Sequence, residues 1–291
     1  MPLVSVLMTA YNRQKYIAEA IESVLQSTYK NFELIIVDDG STDSTVAIVE
    51  KYSVKDRRIK LYVNPKNLGQ FANRNKAAGY ATGKFLKYLD SDDRISANGL
   101  EKIVDAMLQF PEAAFGSQSH DDMVAVTHPR ESYLNYYFKG DQLLYVGPSG
   151  VIFKRSVFEE VGGFSETGGI LSDTLLMLKI AALHPLLSLP ANFLYWRVHD
   201  DRVTILQDDE YSMVIERTAI NDVILNSDKC PLSKKECNII LQNQKSIFIR
   251  KSFLMFMKLK SSRKYRELLS ILKISPRDFF LAVTPNRSIH Q

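Results

Sequence analysis

The sequence of 291 residues contains few cysteines and no long apolar run. Its two cysteines, Cys230 and Cys237, are too few for the disulfide framework of a small secreted protein, and we expect free thiols in a reducing compartment. The longest uncharged stretch of the second half, residues 180–196, is interrupted by Pro185 and Pro190, which excludes one continuous membrane-spanning helix. The start, MPLVSVLMTAYN, lacks the basic flank and cleavage pattern of a signal peptide, so a cytoplasmic location is expected.

Positive charge is concentrated near the end of the chain, although the net charge is only +4. Residues 245–277 contain ten Lys or Arg and a single acidic residue, Glu267, which leaves 27 basic and 32 acidic residues elsewhere. The basic tail is therefore a candidate for peripheral contact with an anionic membrane at its inner face. A solvated helical extension is the alternative, and no nucleic-acid partner is expected.

The first 90 residues alternate strand-like and helix-like patterns. Helical segments of about 10 to 15 residues separate the four apolar runs, which is typical of a parallel α/β sheet with right-handed crossovers. The four predicted strands are LVSVLMTA, FELIIVDD, RIKLYVN and KFLKYLD.

The remainder of the chain continues this pattern less regularly and then becomes helical. A helix is predicted for SANGLEKIVDAMLQF, and AAFGS is a short strand. Residues 119–142 are polar and are expected to be irregular. Further predictions are a strand, tight turn, strand and short helix in QLLYVGPSGVIFKRSVFEEVGGF, a helix in SDTLLMLKIAAL and a strand in ANFLYWRVHDD. From Leu206 onward the pattern is helical, so we predict two domains, residues 1–205 and 206–291.

Three of the predicted strands end in polar clusters. These clusters are Thr9-Ala10-Tyr11-Asn12, Asp38-Asp39-Gly40-Ser41 and Asp90-Ser91-Asp92-Asp93. In parallel α/β sheets, ligands bind at the carboxyl edge of the strands. The sequence therefore predicts a binding site where the three clusters meet.

The third cluster has the pattern of a cation site. Asp90 and Asp92 are alternate residues of an extended segment, so their carboxylates share one side and can serve a divalent cation. Asp93 is expected to face solvent at the entry of the next helix. An acidic, solvated turn is the alternative for the whole cluster. Two other protein classes with carboxylates at strand ends are disfavoured. A receiver domain would need only about half this length and a downstream lysine in a matching place. An aspartyl-phosphate phosphatase needs its acidic pair after the first strand, which here ends in TAYN.

Several motifs in order resemble those of family 2 glycosyltransferases, which have the GT-A fold. The resemblance covers residues 2–205, and residues 206–291 lie outside it. The matching segments are VSVLMTAYNRQKYIAEAIESVLQSTYKNFELIIVDDGSTDST, NPKNLGQFANRNKAAGYATGKFLKYLDSDD, GPSGVIFKRSVFEEVGGF and WRVHDDRVT. The fold that it implies is a GT-A domain, a Rossmann-like mixed sheet with flanking helices, followed here by a helical, basic extension.

The resemblance also implies a set of residues that bind the donor nucleotide. They are Thr9, Ala10, Tyr11, Arg13, Asp39, Arg74, Asp90 and Ser91. In the family, the match of Tyr11 lies near the base, and that of Asp39 accepts a hydrogen bond from a uracil ring nitrogen. The match of Asp90 approaches the ribose or a metal-bound water. Three alternatives stay open: a merely half-buried Tyr11, an Arg74 that only pairs with a carboxylate, and a solvated Arg13.

The metal and the catalytic base are implied in the same way. The match of Asp92 is the direct ligand of Mn²⁺ or Mg²⁺, and that of His199 reaches the metal or the diphosphate. Asp173 matches the base that deprotonates the acceptor hydroxyl, and a single base with one displacement implies inversion at the anomeric carbon. Ser172 departs from the family, which usually has Glu there. Asp173 could instead be an N-terminal helix residue stabilised by the helix dipole, and His199 a satisfied strand-end residue.

The expected activity is therefore metal-dependent, inverting transfer of a sugar from a nucleotide-sugar, with a UDP-sugar as the favoured donor. The expected acceptor is a hydroxyl of a surface glycan or of a lipid-linked sugar. Because Ser172 replaces the usual Glu, a sugar-nucleotide-binding protein without catalysis is the alternative. A nucleotidyltransferase on a similar sheet is disfavoured because no Gly-rich, Arg-containing loop follows the first strand.

Overall fold

The computed structural model describes residues 3–120, 123–198, 210–259, 269–270, 274–275 and 278. The chain divides into two compact units, Met1–Asp208 and Asp209–Gln291. The division falls close to the boundary that the sequence predicts.

The first unit is built on strands β1 to β10. Their bounds are Val4–Ala10, Phe32–Asp38, Ile59–Val63, Phe85–Tyr88, Arg94–Ile95, Phe115–Gln118, Val126–Thr127, Val151–Lys154, Leu186–Leu189 and Leu194–Tyr195. Eight of them form one sheet in the order β3-β2-β1-β4-β8-β6-β9-β7, and β5 pairs with β10 in a separate antiparallel ribbon. The first four strands are mutually parallel, as predicted. β8 is antiparallel to both β4 and β6, which makes the sheet mixed.

In the parallel half, β1, β2 and β4 are almost entirely buried because helices cover both faces of the sheet, whereas β3 at the edge is partly exposed. All seven residues of β2, FELIIVD, are buried, including Glu33, whose carboxylate accepts hydrogen bonds from Ser5 and Thr82. A sheet covered on both faces produces continuous apolar runs instead of alternation. All four strand predictions for this half are confirmed.

Seven α-helices accompany the strands in the described part of the first unit. Numbered α1 to α7, they are Ile17–Leu25, Thr45–Ser53, Gln70–Gly79, Gly99–Gln109, Pro129–Leu134, Arg155–Glu160 and Ser172–Ala181. The expectation of an irregular stretch at 119–142 is wrong, because β7, α5 and a π-helix at Asn135–Lys139 lie there.

Two predicted strands differ from the structure. The QLLYV segment contains no strand, since its Leu143 carbonyl accepts a hydrogen bond from the Ser117 hydroxyl instead of joining a ladder. In ANFLYWRVHDD only Leu194–Tyr195 is a strand, and its last residues, His199 and beyond, lie outside the described residues.

The described part of the second unit contains two helices, α8 (Glu210–Leu225) and α9 (Lys234–Leu259). Gln244 joins them: its amide donates to the Thr218 hydroxyl at 2.7 Å and accepts from the Asn221 amide at 2.7 Å. Within the described residues, no helix combines the length and hydropathy needed to cross a membrane.

Candidate active site

The polar clusters after β1, β2 and β4 lie at one edge of the sheet. Ala10, the last residue of β1, is paired with Asp38, the last residue of β2. On the other side of β1, Leu7 is paired with Tyr88, the last residue of β4. Strand order also reverses beside β1, which is where parallel α/β sheets form their binding crevices.

The turn after β1 leaves an aromatic ring exposed at this edge. Asn12 has a left-handed φ of 53°, a conformation that Asn adopts more readily than most side chains. Its Oδ1 accepts a hydrogen bond from Thr42 N at 2.9 Å, and its own N–H donates to Ser41 Oγ at 2.8 Å. The turn is thus fixed to the loop after β2, while Tyr11 is 44% exposed.

The carboxylate of Asp38 holds the turn after β2. It is buried, and it accepts hydrogen bonds from Gly40 N at 3.1 Å, Ser41 N at 2.8 Å and Ser41 Oγ at 2.5 Å. Because its acceptors are occupied by groups of the same turn, Asp38 is a structural residue of the site.

Asp39, the next residue, fastens the loop that follows β3. Its carboxylate accepts from Asn64 Nδ2 at 2.8 Å, Leu68 N at 2.9 Å and Gly69 N at 3.0 Å. A carboxylate offers about four lone pairs, so one acceptor position is left after these three bonds. The predicted hydrogen bond from a uracil ring stays a prediction, and the loop-holding role was not anticipated from the sequence.

Arg74 and Asp90 form a buried ion pair between α3 and the end of β4. Arg74 Nη1 lies 2.7 Å from Asp90 Oδ1, and Nε of the same guanidinium has no hydrogen-bond partner among the described atoms. Burial, the largest single effect, raises the pKa of Asp90, but the charge of Arg74, together with Lys87 and Ser149, holds the pKa below its ordinary value. The predicted alternative for Arg74, pairing with a carboxylate, is thus realised, yet the unpartnered Nε leaves a buried donor for a further acceptor.

Asp93 is buried, which contradicts the expectation that it faces solvent. It is only 2% exposed, and its Oδ1 accepts a hydrogen bond from Arg197 N at 3.0 Å. Burial, together with the charge of Asp90, raises the pKa of Asp93 to about 7. The physical reason is the ribbon of β5 and β10, which brings the segment after β10 over the acidic turn.

The three carboxylates of the turn fit a divalent cation. Asp90, Asp92 and Asp93 each place an oxygen within 4.8 Å of the others. Arg13, whose Nε lies 3.4 Å from Asp92 Oδ2, adds a positive charge beside them. Carboxylate oxygens are the ligands that Mg²⁺ and Mn²⁺ prefer, and a cation would relieve the repulsion within the cluster.

A fully buried lysine lies behind the acidic turn, and the sequence-based prediction missed it. Lys87 is 0% exposed, and its ammonium donates hydrogen bonds to the carbonyls of Tyr88 and Ser149. Burial lowers the pKa of Lys87 to about 7. Ser149 Oγ in turn accepts from Asp90 N at 2.8 Å. The only sequence signal for this arrangement is a lysine within the apolar strand KFLKYLD, where lysine is seldom buried without partners.

Arg197 was missed as well, although it joins three parts of the site. Its Nη2 donates to Glu19 Oε2 on α1 at 2.6 Å, and its Nε donates to the Asp92 carbonyl at 3.1 Å. The guanidinium also lies over the Tyr16 ring, 5.2 Å from its centroid. Together with its backbone bond to Asp93, these contacts hold the acidic turn in place.

Asp173 lies in the first turn of α7. Its Oδ1 accepts a hydrogen bond from Thr174 N at 2.7 Å. Burial raises the pKa of Asp173 to about 6, against the opposing effects of this bond and of Arg74, whereas Asp90 acts in the same direction as burial. The charges of Arg74 and Asp90 therefore both affect the pKa of this carboxyl group, which lies below neutral pH.

Ser172, at the position of the usual family Glu, binds the preceding turn. It is buried; its Oγ donates to the Ser165 carbonyl at 2.5 Å and accepts from Ser165 N at 3.0 Å. The hydroxyl is thus satisfied within the protein, and this position supplies no second carboxylate to the site.

The GGF turn before α7 is tied to α3. Asn75 Nδ2 donates to the Phe164 carbonyl at 2.8 Å, and Phe164 N donates to Asn75 Oδ1 at 2.9 Å. Gly163 has a φ of +68°, and a Cβ there would lie 2.6 Å from Asn75 Oδ1, so glycine is required. Because Arg74 adjoins Asn75, one helix positions both the buried guanidinium and the turn that leads to Asp173.

Three further residues of the predicted nucleotide site lie at strand ends, Thr9 and Ala10 in β1 and Ser91 after β4. Thr9 is half-buried, whereas Ala10 and Ser91 are buried. His199 lies outside the described residues, so its predicted ligand role stays a prediction. Most of the basic tail beyond Leu259 also lies outside the described residues, so the predicted membrane contact stays a prediction.

Comparison with known protein families identifies the family to which the first unit belongs. Residues 5–162 match the sequence model described as glycosyl transferase family 2, which is more than half of the chain.

Curated relatives carry the same kind of name. An uncharacterized glycosyltransferase of Haemophilus influenzae is 44% identical over 109 residues, which cover 38% of this chain and 44% of the relative. The Escherichia coli UDP-Glc:alpha-D-GlcNAc-diphosphoundecaprenol beta-1,3-glucosyltransferase WfgD is 45% identical over 107 residues, 37% of this chain and 42% of WfgD. The matching segments thus span less than half the length of either relative.

Solved structures share the fold over nearly the whole chain. S. aureus TarS in complex with UDP-GlcNAc has a TM-score of 0.72 at 21% identity, covering 98% of this chain and 82% of that one. A mannosyltransferase from Pyrobaculum calidifontis in complex with GDP-Man and Mn²⁺ has a TM-score of 0.60 at 17% identity, covering 97% and 86%. At these identities the likeness concerns the fold alone.

Proposed function

Because the chain belongs to glycosyl transferase family 2, we propose that it transfers a sugar from a UDP-sugar to a hydroxyl of a glycan or lipid-linked acceptor. The observation that carries the proposal is the buried Arg74–Asp90 pair beside the cluster of Asp92 and Asp93. A buried guanidinium with an unpartnered Nε next to three crowded carboxylates suits a diphosphate with its divalent cation. The UDP-GlcNAc bound to TarS and the UDP-Glc in the name of WfgD support a uridine donor.

The nucleotide is proposed to bind across the ends of β1 and β2. Tyr11 offers an exposed ring against which a base can stack, and Asp39 retains one acceptor position for a ring N–H. Thr9 and Ala10 form the floor of this base pocket. Asp90 and Ser91 are proposed to hold the ribose side of the donor.

The diphosphate is proposed to lie between Arg13, Arg74 and the acidic turn. Arginine presents a fixed fork of donors that matches phosphate oxygens, and both guanidinium groups already lie against the carboxylates. Asp92 and Asp93, with His199 as a further candidate, would hold Mn²⁺ or Mg²⁺. When bound, the ion would act as a Lewis acid that stabilises charge on the UDP leaving group. The Mn²⁺ complex of the Pyrobaculum mannosyltransferase supports this choice of ion.

Asp173 is proposed to accept the proton of the acceptor hydroxyl. With a pKa of about 6 it is ionised at neutral pH and still basic enough to assist proton removal during attack. Attack by the hydroxyl forms the new bond at the anomeric carbon while the bond to UDP breaks. A single displacement of this kind inverts the configuration.

A protein that binds a sugar nucleotide without catalysing transfer is the second candidate. It is favoured by Ser172, whose hydroxyl is engaged by Ser165 and which provides no second carboxylate beside Asp173. Turnover separates the two candidates.

The test is to measure UDP-sugar binding and turnover in the same preparations. With Mn²⁺, we expect UDP to raise the melting temperature, and a UDP-sugar to be turned over, at least by slow hydrolysis. Asp173→Asn should reduce transfer by about 10²- to 10⁴-fold while leaving UDP affinity within a few-fold. Full transfer activity in Asp173→Asn would show that the base is assigned wrongly. Binding of UDP without any turnover in the wild type would favour the second candidate.

The basic tail is proposed to give peripheral contact with anionic lipid at the cytoplasmic face of a membrane. The ten Lys or Arg residues between Lys245 and Arg277 support this, since each basic residue near an anionic surface contributes about 1 kcal/mol. Sedimentation with anionic liposomes, with and without the residues after Leu206, tests it; equal sedimentation of both forms would refute it.

A further inference from the structure

The only tryptophan of the chain, Trp196, is exposed next to the acidic turn. It is 41% exposed, in the segment that directly follows β10. The next residue, Arg197, donates to the Asp92 carbonyl and to Asp93 Oδ1. A large aromatic ring is therefore exposed in the segment that contacts the acidic turn.

The indole ring lies against two glycines. A Cβ at Gly147 would lie 3.2 Å from Trp196 Cη2, and one at Gly150 would lie 3.4 Å from Cζ2. The six-membered ring thus packs on the backbone that carries Ser149, the residue whose hydroxyl accepts from Asp90 N. At Gly147 the absence of a side chain leaves room for this close approach.

The orientation of the ring is also fixed by a hydrogen bond. Trp196 Nε1 donates to Gln118 Oε1 at 3.3 Å, and Gln118 Nε2 donates to the Ala191 carbonyl. With both ends of the Gln118 amide engaged, the indole N–H has a defined partner. Such a ring is preorganised, so a ligand that packs on it does not have to order it first.

Trp196 stands on the other half of the sheet from the proposed nucleotide pocket. Its partners Gln118 and Gly150 lie at the end of β6 and directly before β8, whereas Tyr11 and Asp39 follow β1 and β2. The acidic turn after β4 lies between the two halves in the strand order. A ligand on Trp196 is therefore on the far side of the diphosphate site from the base.

We propose that Trp196 is a stacking platform for a pyranose ring of the acceptor. This inference rests on the proposed function. A pyranose presents a face of C–H groups that packs on an aromatic ring, while its hydroxyls require polar neighbours and water. In the proposed reaction, an acceptor sugar must lie beside the anomeric carbon of the donor. Trp196 is connected to the proposed donor site in two ways, because Arg197 contacts the acidic turn and the Gly147–Gly150 turn carries Ser149, which contacts Asp90.

The first experiment uses the intrinsic fluorescence of the full-length chain, because every photon of tryptophan emission comes from Trp196. The protein saturated with Mn²⁺ and UDP is titrated with methyl pyranosides of glucose, galactose, mannose, rhamnose, N-acetylglucosamine and N-acetylgalactosamine. We expect at least one of them to change the emission saturably at concentrations of about 1 to 100 mM. Linear or absent changes with all six would overturn the proposal.

The second experiment measures transfer to the pyranoside that binds. Trp196→Ala should raise the KM for this acceptor about tenfold, and Trp196→Phe should recover most of the loss, since a ring is restored. The matched control is Tyr195→Ala, which removes a neighbouring ring that is 58% exposed and lies over Arg94; its acceptor KM should stay at the wild-type value. An unchanged acceptor KM in Trp196→Ala would contradict the platform.

The two proposals fail in different ways. If UDP with Mn²⁺ does not raise the melting temperature of the wild type, the donor assignment itself fails. If UDP binds and the donor is turned over, but no pyranoside alters the emission of Trp196, only the acceptor platform is refuted.

Discussion

The two acidic clusters at the strand ends look alike in sequence and differ in structure. After β2, Asp38 and Asp39 are buried and accept six hydrogen bonds from neutral groups of the protein. After β4, Asp90 and Asp92 are balanced mainly by the charged groups of Arg74 and Arg13. The first cluster holds the chain through neutral hydrogen bonds, and the second brings several charged groups together.

The difference separates carboxylates with a structural role from carboxylates that are proposed to bind a ligand. A carboxylate whose lone pairs are taken by backbone N–H groups gains little from a cation, because its desolvation is already offset. At the end of β4 the pKa of Asp93 is raised to about 7, and Nε of Arg74 has no partner among the described atoms. Those two features support the proposed binding of a cation and a diphosphate at the end of β4.

The largest effect is expected for catalysis, when a carboxylate of the cluster after β4 is removed. Asp92→Ala removes a proposed metal ligand and should reduce UDP-sugar turnover by about 10³-fold, comparable to the loss of one preorganised electrostatic group. Its free energy of unfolding should change by less than about 1 kcal/mol, since the ion pair with Arg13 is long and partly exposed. Turnover at saturating Mn²⁺ and a denaturant titration measure the two quantities. Near-normal turnover would remove Asp92 from the site.

Much of the site could be predicted because its residues follow strands. The apolar runs define β1, β2 and β4, and the polar residues directly after each run had to meet at one edge. Asp90, Asp92 and Arg74 were found in this way or through motifs of the family. These signals are local in sequence, so they can be read without a structure.

The residues that were missed act through long-range contacts. Lys87 reaches Ser149, 62 residues away, and Arg197 reaches Asp93, 104 residues away. No periodic pattern encodes such pairs. The prediction for Asp93 was wrong for the same reason: an acidic residue before a helix normally faces solvent, but the ribbon of β5 and β10 covers it.

The free energy of unfolding should depend more strongly on the cluster after β2. Asp38→Ala leaves the part-buried N–H groups of Gly40 and Ser41 without their acceptor and removes a buried carboxylate, and we expect a loss of about 3 kcal/mol in the free energy of unfolding. Asp38→Asn is the matched control, because its Oδ1 can still accept from the backbone, and it should cost about 1 kcal/mol. Denaturant titrations measure both. If Asp38→Ala were as stable as Asp92→Ala, the distinction between the two clusters would be lost.

The smallest expected effect is a pH dependence that comes from the β4 cluster. Burial and Asp90 raise the pKa of Asp93 to about 7, so in metal-free protein the folded chain keeps a proton that the unfolded chain loses near pH 4. This contribution to stability is complete below about pH 4, is lost as the pH rises, and is gone above about pH 7. Between pH 5 and 7, with EDTA present, Asp93 should lower the free energy of unfolding by about 1 kcal/mol per pH unit.

Asp93→Asn isolates this effect, because the amide resembles the protonated acid and its Oδ1 can still accept from Arg197 N. Asp173, with a pKa raised to about 6, contributes in the same direction and is present in both proteins, so it cancels in the difference. Burial lowers the pKa of Lys87 to about 7, so from about pH 6 upward the folded chain releases a proton that the unfolded chain keeps; this opposing contribution is likewise present in both proteins. The difference in the free energy of unfolding, wild type minus Asp93→Asn, should therefore decrease from pH 5 to pH 7 and stay constant above pH 7. A flat difference would mean that Asp93 is already ionised at pH 5 and that its burial is compensated by neighbouring positive charge.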